Sequence, residues 1–342
     1  MATDKKNVLL VGSGAIGTLA AFSLTAGGRA DVTAVLRSNY AVVEESGFVV
    51  DSFDYGLHEG WKPSKVLNKV PDVTADGLPP YDYIVVATKN YPDIPPTVSE
   101  IIAPAVTPGH TAIVLIQNGL NIEKPLVAAF PTNAIVSGVS LTGSAERSPG
   151  HIVSDEHDVL IVGPFVNPGV GAEASLAAAR TFVEIYGASG KVTCELNEDV
   201  GFVRWRKLVY NACYNPLATI LRMDTSQLRL AETPIADLVR PAMWEVWRAA
   251  KAAGHDVPKE HIENTINADP IDVWCKPSML QDAEKGNYIE YINLIEEPVK
   301  EAEKLGVPTP ILKVILDMCR ALQWKAKVAK GLVTLPAGAP PS

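Results

Sequence analysis

Three glycines set between an apolar strand and a helix restrict this chain more than any other feature. Residues 7–24 read Asn-Val-Leu-Leu-Val-Gly-Ser-Gly-Ala-Ile-Gly-Thr-Leu-Ala-Ala-Phe-Ser-Leu. A short apolar run enters Gly12-Ser13-Gly14-Ala15-Ile16-Gly17, and an Ala- and Leu-rich helix follows. In such a unit the first glycine permits the tight turn, the second lets backbone approach a diphosphate, and the third lets helix and strand pack closely. The helix N-terminus then faces negative charge. A membrane span or leader peptide is the competing reading of so uncharged a stretch. Glycines clustered after five apolar residues, with no small-residue cleavage site, argue against both. Gly12 through Gly17 are therefore assigned to the pyrophosphate of a dinucleotide.

The second predicted strand, Val32 to Leu36, runs into Arg37-Ser38-Asn39. An Asp or Glu at that end would hold the ribose 2′-hydroxyl of NAD, whereas an arginine accommodates a 2′-phosphate. Asp31 stands too early, at the strand's start. The expected cofactor is NADP(H), with Arg37 as its ligand and Lys89, after the apolar run 83–88, on the same rim. As a lone cation, each is otherwise a surface charge.

Strand and helix alternate through the first half, with strands near 8–12, 32–36, 83–88, 112–116 and 134–139 and helices near 15–26, 39–46, 93–103 and 121–129. That order predicts a doubly wound parallel sheet. Residues 51–80 read as an insertion or short extra strands, 141–163 as an antiparallel extension of the sheet, 172–186 as a helix and 191–194 as a last strand. After about 198 the pattern is helical: 198–221, 235–254, 258–267, 278–285, 288–305 and 309–329. The fold class is thus an α/β Rossmann-type N-terminal domain plus an all-α C-terminal domain. The expected division is 1–195, 196–330 and a disordered tail over 331–342.

Within the helical half, Lys207, Asn211 and Asn215 recur at i, i+4 and i+8 in Arg-Trp-Arg-Lys-Leu-Val-Tyr-Asn-Ala-Cys-Tyr-Asn. The spacing aligns one ammonium and two carboxamides on one face, opposite Leu208, Val209 and Ala212. No carboxylate accompanies the lysine on that stripe, although a solvated face more often mixes both signs. A solvated face with an incidental lysine is the alternative.

Bulk properties exclude several classes. The 342 residues, 47% hydrophobic and 20% charged, suffice for two cores. A net charge of −9 argues against nucleic acid as a partner. Cys194, Cys213, Cys275 and Cys319 lack paired spacing and read as reduced thiols. His151, His157, His255 and His261 lack metal-ligand spacing, so no metal is expected. With no membrane or lipidation signal, the expected location is the cytoplasm. Trp244, Trp247 and Trp274 are assigned to core packing, with a homodimer face as the alternative.

Four stretches together resemble the ketopantoate reductases (2-dehydropantoate 2-reductases), spread over nearly the whole chain. They are Gly12–Gly17; Leu115-Ile116-Gln117-Asn118-Gly119; Trp205-Arg206-Lys207-Leu208 with Asn211 and Asn215; and Ser278-Met279-Leu280-Gln281-Asp282 with Glu290-Tyr291-Ile292-Asn293. The resemblance implies NADPH-dependent reduction of a small 2-oxo acid, 2-dehydropantoate first, and a place in pantothenate biosynthesis. Lys207 would be the general acid and Glu290 would reach the lysine, the substrate hydroxyl or the cofactor. Asn211, Asn215 and Ser278 would hold the substrate, Asn118 would sit at the nicotinamide edge near it, and Arg37 and Lys89 match the 2′-phosphate contacts. The chemistry agrees, because ketone reduction builds alkoxide charge that a nearby cation stabilises and protonates.

The chain departs from the family pattern at two places. Arg222-Met223-Asp224-Thr225 lacks an amide common there, and Cys275 stands where an asparagine is common. A paralogue acting on another ketone or 2-oxo acid is therefore an alternative. So are opine-type reductive amination and a regulator that binds NADP(H) without turnover.

Overall fold

Among the described residues the strands are β1 (Lys6–Val11), β2 (Ala30–Val35), β3 (Phe48–Ser52), β4 (Gly56–Trp61), β5 (Lys65–Leu67), β6 (Tyr83–Val86), β7 (Ala112–Leu115), β8 (Ile135–Ser140), β9 (Ala145–Ser148), β10 (His151–Ser154), β11 (Val159–Phe165) and β12 (Thr193–Leu196). They are seen in a computed structural model that describes residues 5–336. Of the tail expected over 331–342, residues 337–342 lie outside the described residues, and 331–336 carry no helix or strand. Two compact units form. One takes the described residues up to Gln117 with Ile122–Val200, and the other Asn118–Asn121 with those from Gly201 on.

The main sheet of the first unit has the order β12-β11-β8-β7-β6-β1-β2-β5. From β5 through β8 every pairing is parallel, and the order β5-β2-β1-β6-β7-β8 is that of a Rossmann sheet. Near-continuous apolar sequences such as Tyr83-Ile84-Val85-Val86 fit strands covered on both faces, and all four of those residues are buried. One face packs Leu19, Phe22 and Leu24 of the helix Ala15–Ala26, and Phe182 and Ile185 of the helix Ala172–Tyr186. The other face packs Val98, Ile102, Ile122 and Leu126.

Two expectations about this unit need correction. Residues 141–163 do not simply extend the main sheet. Only β11 does so, antiparallel to β8, while β9 and β10 join β3 and β4 in a separate four-stranded sheet. The short extra strands expected within 51–80 are present, as β4 of that second sheet and β5 of the main one. The helix expected over 93–103 is only Val98–Ile102, because Pro95 and Pro96 precede it and Thr97 caps it in a capping box with Glu100.

The second unit is helical around a core that includes Leu208, Val209, Tyr214, Met243, Val246, Leu294 and Leu316. Its helix over 198–221 is interrupted, giving Val200–Asn211 and Tyr214–Leu221. Pro216 has no N–H for the carbonyl of Ala212, and its ring opposes a continuous helix there. The helices expected at 235–254 and 288–305 each open on one wide π turn, Ile235–Val239 and Ile292–Glu296. Each turn runs into a proline, Pro241 or Pro298, which cannot donate the ordinary i to i−4 bond. Trp247 donates from Nε1 to Val257 O at 2.6 Å and packs edge-on against Trp244. Trp274, assigned to the core from sequence, is instead 52% exposed, at a backbone φ of 52°. All four cysteines are free thiols. Among the described residues no helix is long and apolar enough to cross a membrane.

Candidate active site

In the first unit the glycine turn lies at the carboxyl ends of β1 and β6, where the order of the sheet reverses. Gly12 adopts φ +99°, and a Cβ there would lie 2.5 Å from Thr88 N. A Cβ on Gly17 would lie 1.9 Å from Gly12 O and 3.1 Å from the Ala87 Cβ, so only glycine lets helix meet turn. Gly14 has nothing within 4 Å of its missing side chain. Two glycines are thus required by the fold itself, while the middle one leaves open space at the start of the helix Ala15–Ala26. That space, beside unpaired helix N–H groups, suits a pyrophosphate.

The surrounding residues hold the turn in shape. Ser13 is buried; its hydroxyl donates to Val35 O at 3.4 Å, and its carbonyl accepts from Asn39 Nδ2 at 2.8 Å. Asn39 also donates to Glu146 Oε1 at 2.9 Å, which makes it a strut from the turn to the smaller sheet. Its role is invisible in the sequence, since a buried amide after an arginine has no spacing signature. Arg37, directly after Leu36, and Lys89, three residues past β6, are both exposed. Gln117 donates from Nε2 to Thr88 O and Oγ1 at 2.8 and 3.0 Å, tying together the segments that leave β6 and β7.

The second unit gathers the remaining candidates. Lys207 is partly buried in the helix Val200–Asn211. Desolvation lowers its ammonium from 10.5 to about 8, Arg204 adds to that effect, and Glu290 opposes it. Glu290 is itself buried, in the segment that leads into the Ile292–Glu296 turn. A lysine near 8 keeps its proton at neutral pH yet gives it up readily.

The break at Ala212–Cys213 does not separate the two amides. Asn215 donates from Nδ2 to Asn211 Oδ1 at 3.0 Å, and its own Oδ1 accepts the Met279 N–H at 3.2 Å. Asn215 thereby anchors the first turn of the helix Ser278–Glu284, on which Ser278 is exposed. Asn118 begins the short segment that belongs to this unit. Gly119 sits at φ +106°, and a Cβ there would lie 2.5 Å from the Cβ of Asn293. Leu120 N donates to Asn293 O at 2.8 Å, and Asn293 Nδ2 returns a bond to Leu120 O at 2.9 Å.

The two departures from the family pattern adjoin each other. The carbonyl of Cys275 accepts from Thr225 N at 3.0 Å and from Thr225 Oγ1 at 3.2 Å. Tyr210, on the Lys207 helix, is hydrogen-bonded to the Cys275 side chain, and burial pushes its phenol upward. Asp224 caps the helix Thr225–Leu230 in a capping box with Gln227.

Sheet order and glycine turn place the first unit in the dinucleotide-fold class, and the whole chain has the two-part plan of an oxidoreductase family. The chain belongs to the ketopantoate reductase family: residues 8–167 match ketopantoate reductase PanE/ApbA, and 199–323 match its C-terminal part. An uncharacterized protein of Saccharomyces cerevisiae is 34% identical over 95% of this chain and 96% of its own length. A crystal structure of 2-dehydropantoate 2-reductase from Methylococcus capsulatus superposes with a TM-score of 0.77 at 27% identity, covering 94% of this chain and 97% of that one. D-mandelate dehydrogenase, solved with NADH and anilino(oxo)acetate, gives the same TM-score at 18% identity over 94% of this chain and 99% of that one, a likeness of fold alone.

Proposed function

We propose that the protein reduces a 2-oxo acid to a 2-hydroxy acid with NADPH, 2-dehydropantoate being the first substrate to test and pantothenate biosynthesis the corresponding pathway. The observation that carries this reading is Lys207, an ammonium lowered to about 8 beside Glu290 and next along its helix to the amide of Asn211. The open space at Gly14 supports a bound dinucleotide, with Gly12–Gly17 at its pyrophosphate and Arg37 and Lys89 at its 2′-phosphate. When bound, the nicotinamide supplies a hydride to the carbonyl carbon. Lys207 gives its Nζ proton to the carbonyl oxygen, so that oxygen never carries a full negative charge. Glu290 keeps the ammonium charged in its partly buried setting. Asn118, Asn211 and Ser278 offer uncharged donors to the substrate, and amides bind a carboxylate without neutralising the lysine. Asn215 acts on the substrate through Asn211 and the start of the Ser278 helix.

A second reading, a different 2-oxo acid, is favoured by the Tyr210–Cys275–Thr225 cluster, where a thiol stands in place of one amide and the 222–225 run lacks another. One assay separates the readings: NADPH loss with 2-dehydropantoate, run alongside NADH, a panel of 2-oxo acids with and without amines, and Lys207→Ala. NADPH-preferring turnover of 2-dehydropantoate that collapses in the variant supports the first. Turnover of another acid supports the second. A strict need for an amine, or cofactor binding without turnover of any acid, overturns both.

A further inference from the structure

The segment that leads from the helix Glu260–Ile266 to the helix Ser278–Glu284 carries three exposed apolar side chains, Ile271, Val273 and Trp274. It is braced along its length. Arg229 Nη1 donates to Asp269 O at 2.7 Å, Ser226 Oγ accepts the Trp274 N–H at 3.1 Å, and Cys275 O takes the two bonds from Thr225. The Cys275 side chain is hydrogen-bonded to Tyr210, whose ring lies 5.1 Å from that of Tyr214. Tyr210 follows Lys207 by three residues, so the two occupy neighbouring places on one helix face. Ser278 follows Trp274 by four, at most about 14 Å of extended chain. The braced segment therefore runs from the flank of the lysine to the serine assigned to the substrate.

Trp274 is the odd residue in it. It is 52% exposed and its φ of 52° lies in the left-handed region, where a large side chain is disfavoured and Gly or Asn is the ordinary occupant. The bonds that fix the backbone here engage the N–H of Trp274 and the carbonyl of Cys275, and glycine at 274 would keep both. Neither the turn nor the core requires an indole at this place. Strained backbone at a bulky residue gathers at ligand-facing positions, and adjoining exposed apolar side chains mark binding surfaces. The same wall has exchanged polar groups for apolar ones, with a thiol at Cys275 and no amide in the 222–225 run. A site without those amides no longer penalises a substrate that cannot hydrogen-bond to them.

We propose that Trp274 is a specificity-determining residue: with the Tyr210 ring and the Cys275 thiol, its indole forms an apolar wall beside Ser278 that selects 2-oxo acids bearing an aryl substituent. The inference rests on reading the Lys207 site as that of a 2-oxo acid reductase, and it favours the second of the two substrate readings. Every 2-oxo acid brings the same carboxylate and carbonyl, which fall to Lys207, Asn211 and Ser278. Selection falls to whatever meets the substituent. An aryl ring packs on indole and phenol through its face or edge. The hydroxylated substituent of 2-dehydropantoate would instead set a hydroxyl against apolar surface.

The test compares full-length wild type, Trp274→Gly and Trp274→Phe by two measurements. One is kcat/KM for 2-oxopropanoate, 2-dehydropantoate and 2-oxo-3-phenylpropanoate, with NADPH and in parallel with NADH. The other is calorimetric binding of 2-hydroxypropanoate and 2-hydroxy-3-phenylpropanoate to the protein loaded with oxidised cofactor. Wild type is expected to favour the phenyl acid. Trp274→Gly should lower the phenyl-over-methyl ratio about 10- to 100-fold, chiefly through KM, and Trp274→Phe should retain most of it. Glycine is at ease at this backbone angle. Should Trp274→Gly still not fold, the ratio is read in Trp274→Asn, which also tolerates the left-handed region. A ratio unmoved by the substitution, or a wild-type preference for 2-dehydropantoate or the methyl acid, overturns the inference and leaves the reaction standing. No turnover, with a phenyl preference in binding that Trp274→Gly erases, sustains the inference and rejects the reaction. No turnover and no such preference reject both.

Discussion

Asn215 accepts the Met279 N–H through Oδ1 at 3.2 Å while donating through Nδ2 to Asn211 at 3.0 Å. One buried carboxamide thus joins the Lys207 helix to the first turn of the Ser278 helix across a break in the chain's helical course. Asn215→Ala strands a buried N–H and an amide oxygen, a loss of about 1–3 kcal/mol. The expected outcome is a lower denaturant midpoint together with a larger rise in KM than fall in kcat, because the variant displaces Ser278 and Asn211 without touching Lys207. Chemical denaturation and steady-state kinetics on one preparation check it.

Lys207 gives a pH signature with a defined sign. With Lys207 as the proposed proton donor, reduction needs the protonated lysine, so kcat/KM for the 2-oxo acid is expected to be flat on the acid side and to decline above about pH 8. Oxidation of the 2-hydroxy acid needs the neutral amine and rises through the same value. Lys207→Ala should lower kcat by about 10²–10⁴ and abolish both limbs. Pre-steady-state traces that separate chemistry from product release provide the measurement.

The same lysine costs stability. Its folded value, about 8, lies below the ordinary 10.5, so between those limits the folded protein binds fewer protons than the unfolded chain. Stability therefore rises with pH across that window, and below it a constant penalty remains. Lys207→Met removes the penalty, so its Tm at neutral pH should exceed that of wild type while activity is lost. Thermal melts of both proteins across the window give the comparison; parallel curves would falsify the assignment.

On the proposed reading, Arg37 sets the cofactor preference. Loss of a charge-assisted hydrogen bond to a phosphate is worth about 1.5–3 kcal/mol, so Arg37→Ala should weaken NADPH binding roughly 10- to 100-fold. NADH affinity should hardly change. Fluorescence titration with the two cofactors tests this, and equal losses would assign Arg37 to folding.

The three glycines of the turn should respond differently to the same methyl group. Gly17→Ala places carbon 1.9 Å from a backbone oxygen and is expected to prevent or severely weaken folding. Gly14→Ala meets nothing within 4 Å, so Tm should hold or rise slightly while NADPH no longer raises it. Melts with and without NADPH separate the two cases.

Local rules made much of this protein legible in its sequence. Strand, glycine turn and helix near residue 12 follow from short-range sterics, and continuous apolar runs marked strands that lie covered on both faces. The lysine and its two asparagines were visible as a helical stripe because spacing encodes a face. Arg204 was not, since an arginine among charged neighbours resembles a surface residue until a distant carbonyl, that of Gly119, is found against it. Asn39, Asn293 and the separate sheet of β3, β4, β9 and β10 were hidden for the same reason. Their partners lie tens of residues away or more, and neither periodicity nor propensity records such pairings. The sequence by itself determined the glycine turn, the fold class and the candidate lysine, because each depends on neighbours within a few residues. Only the tertiary structure decided which buried charges and amides face that lysine, because burial and long-range hydrogen bonding, rather than residue type, set its proton affinity.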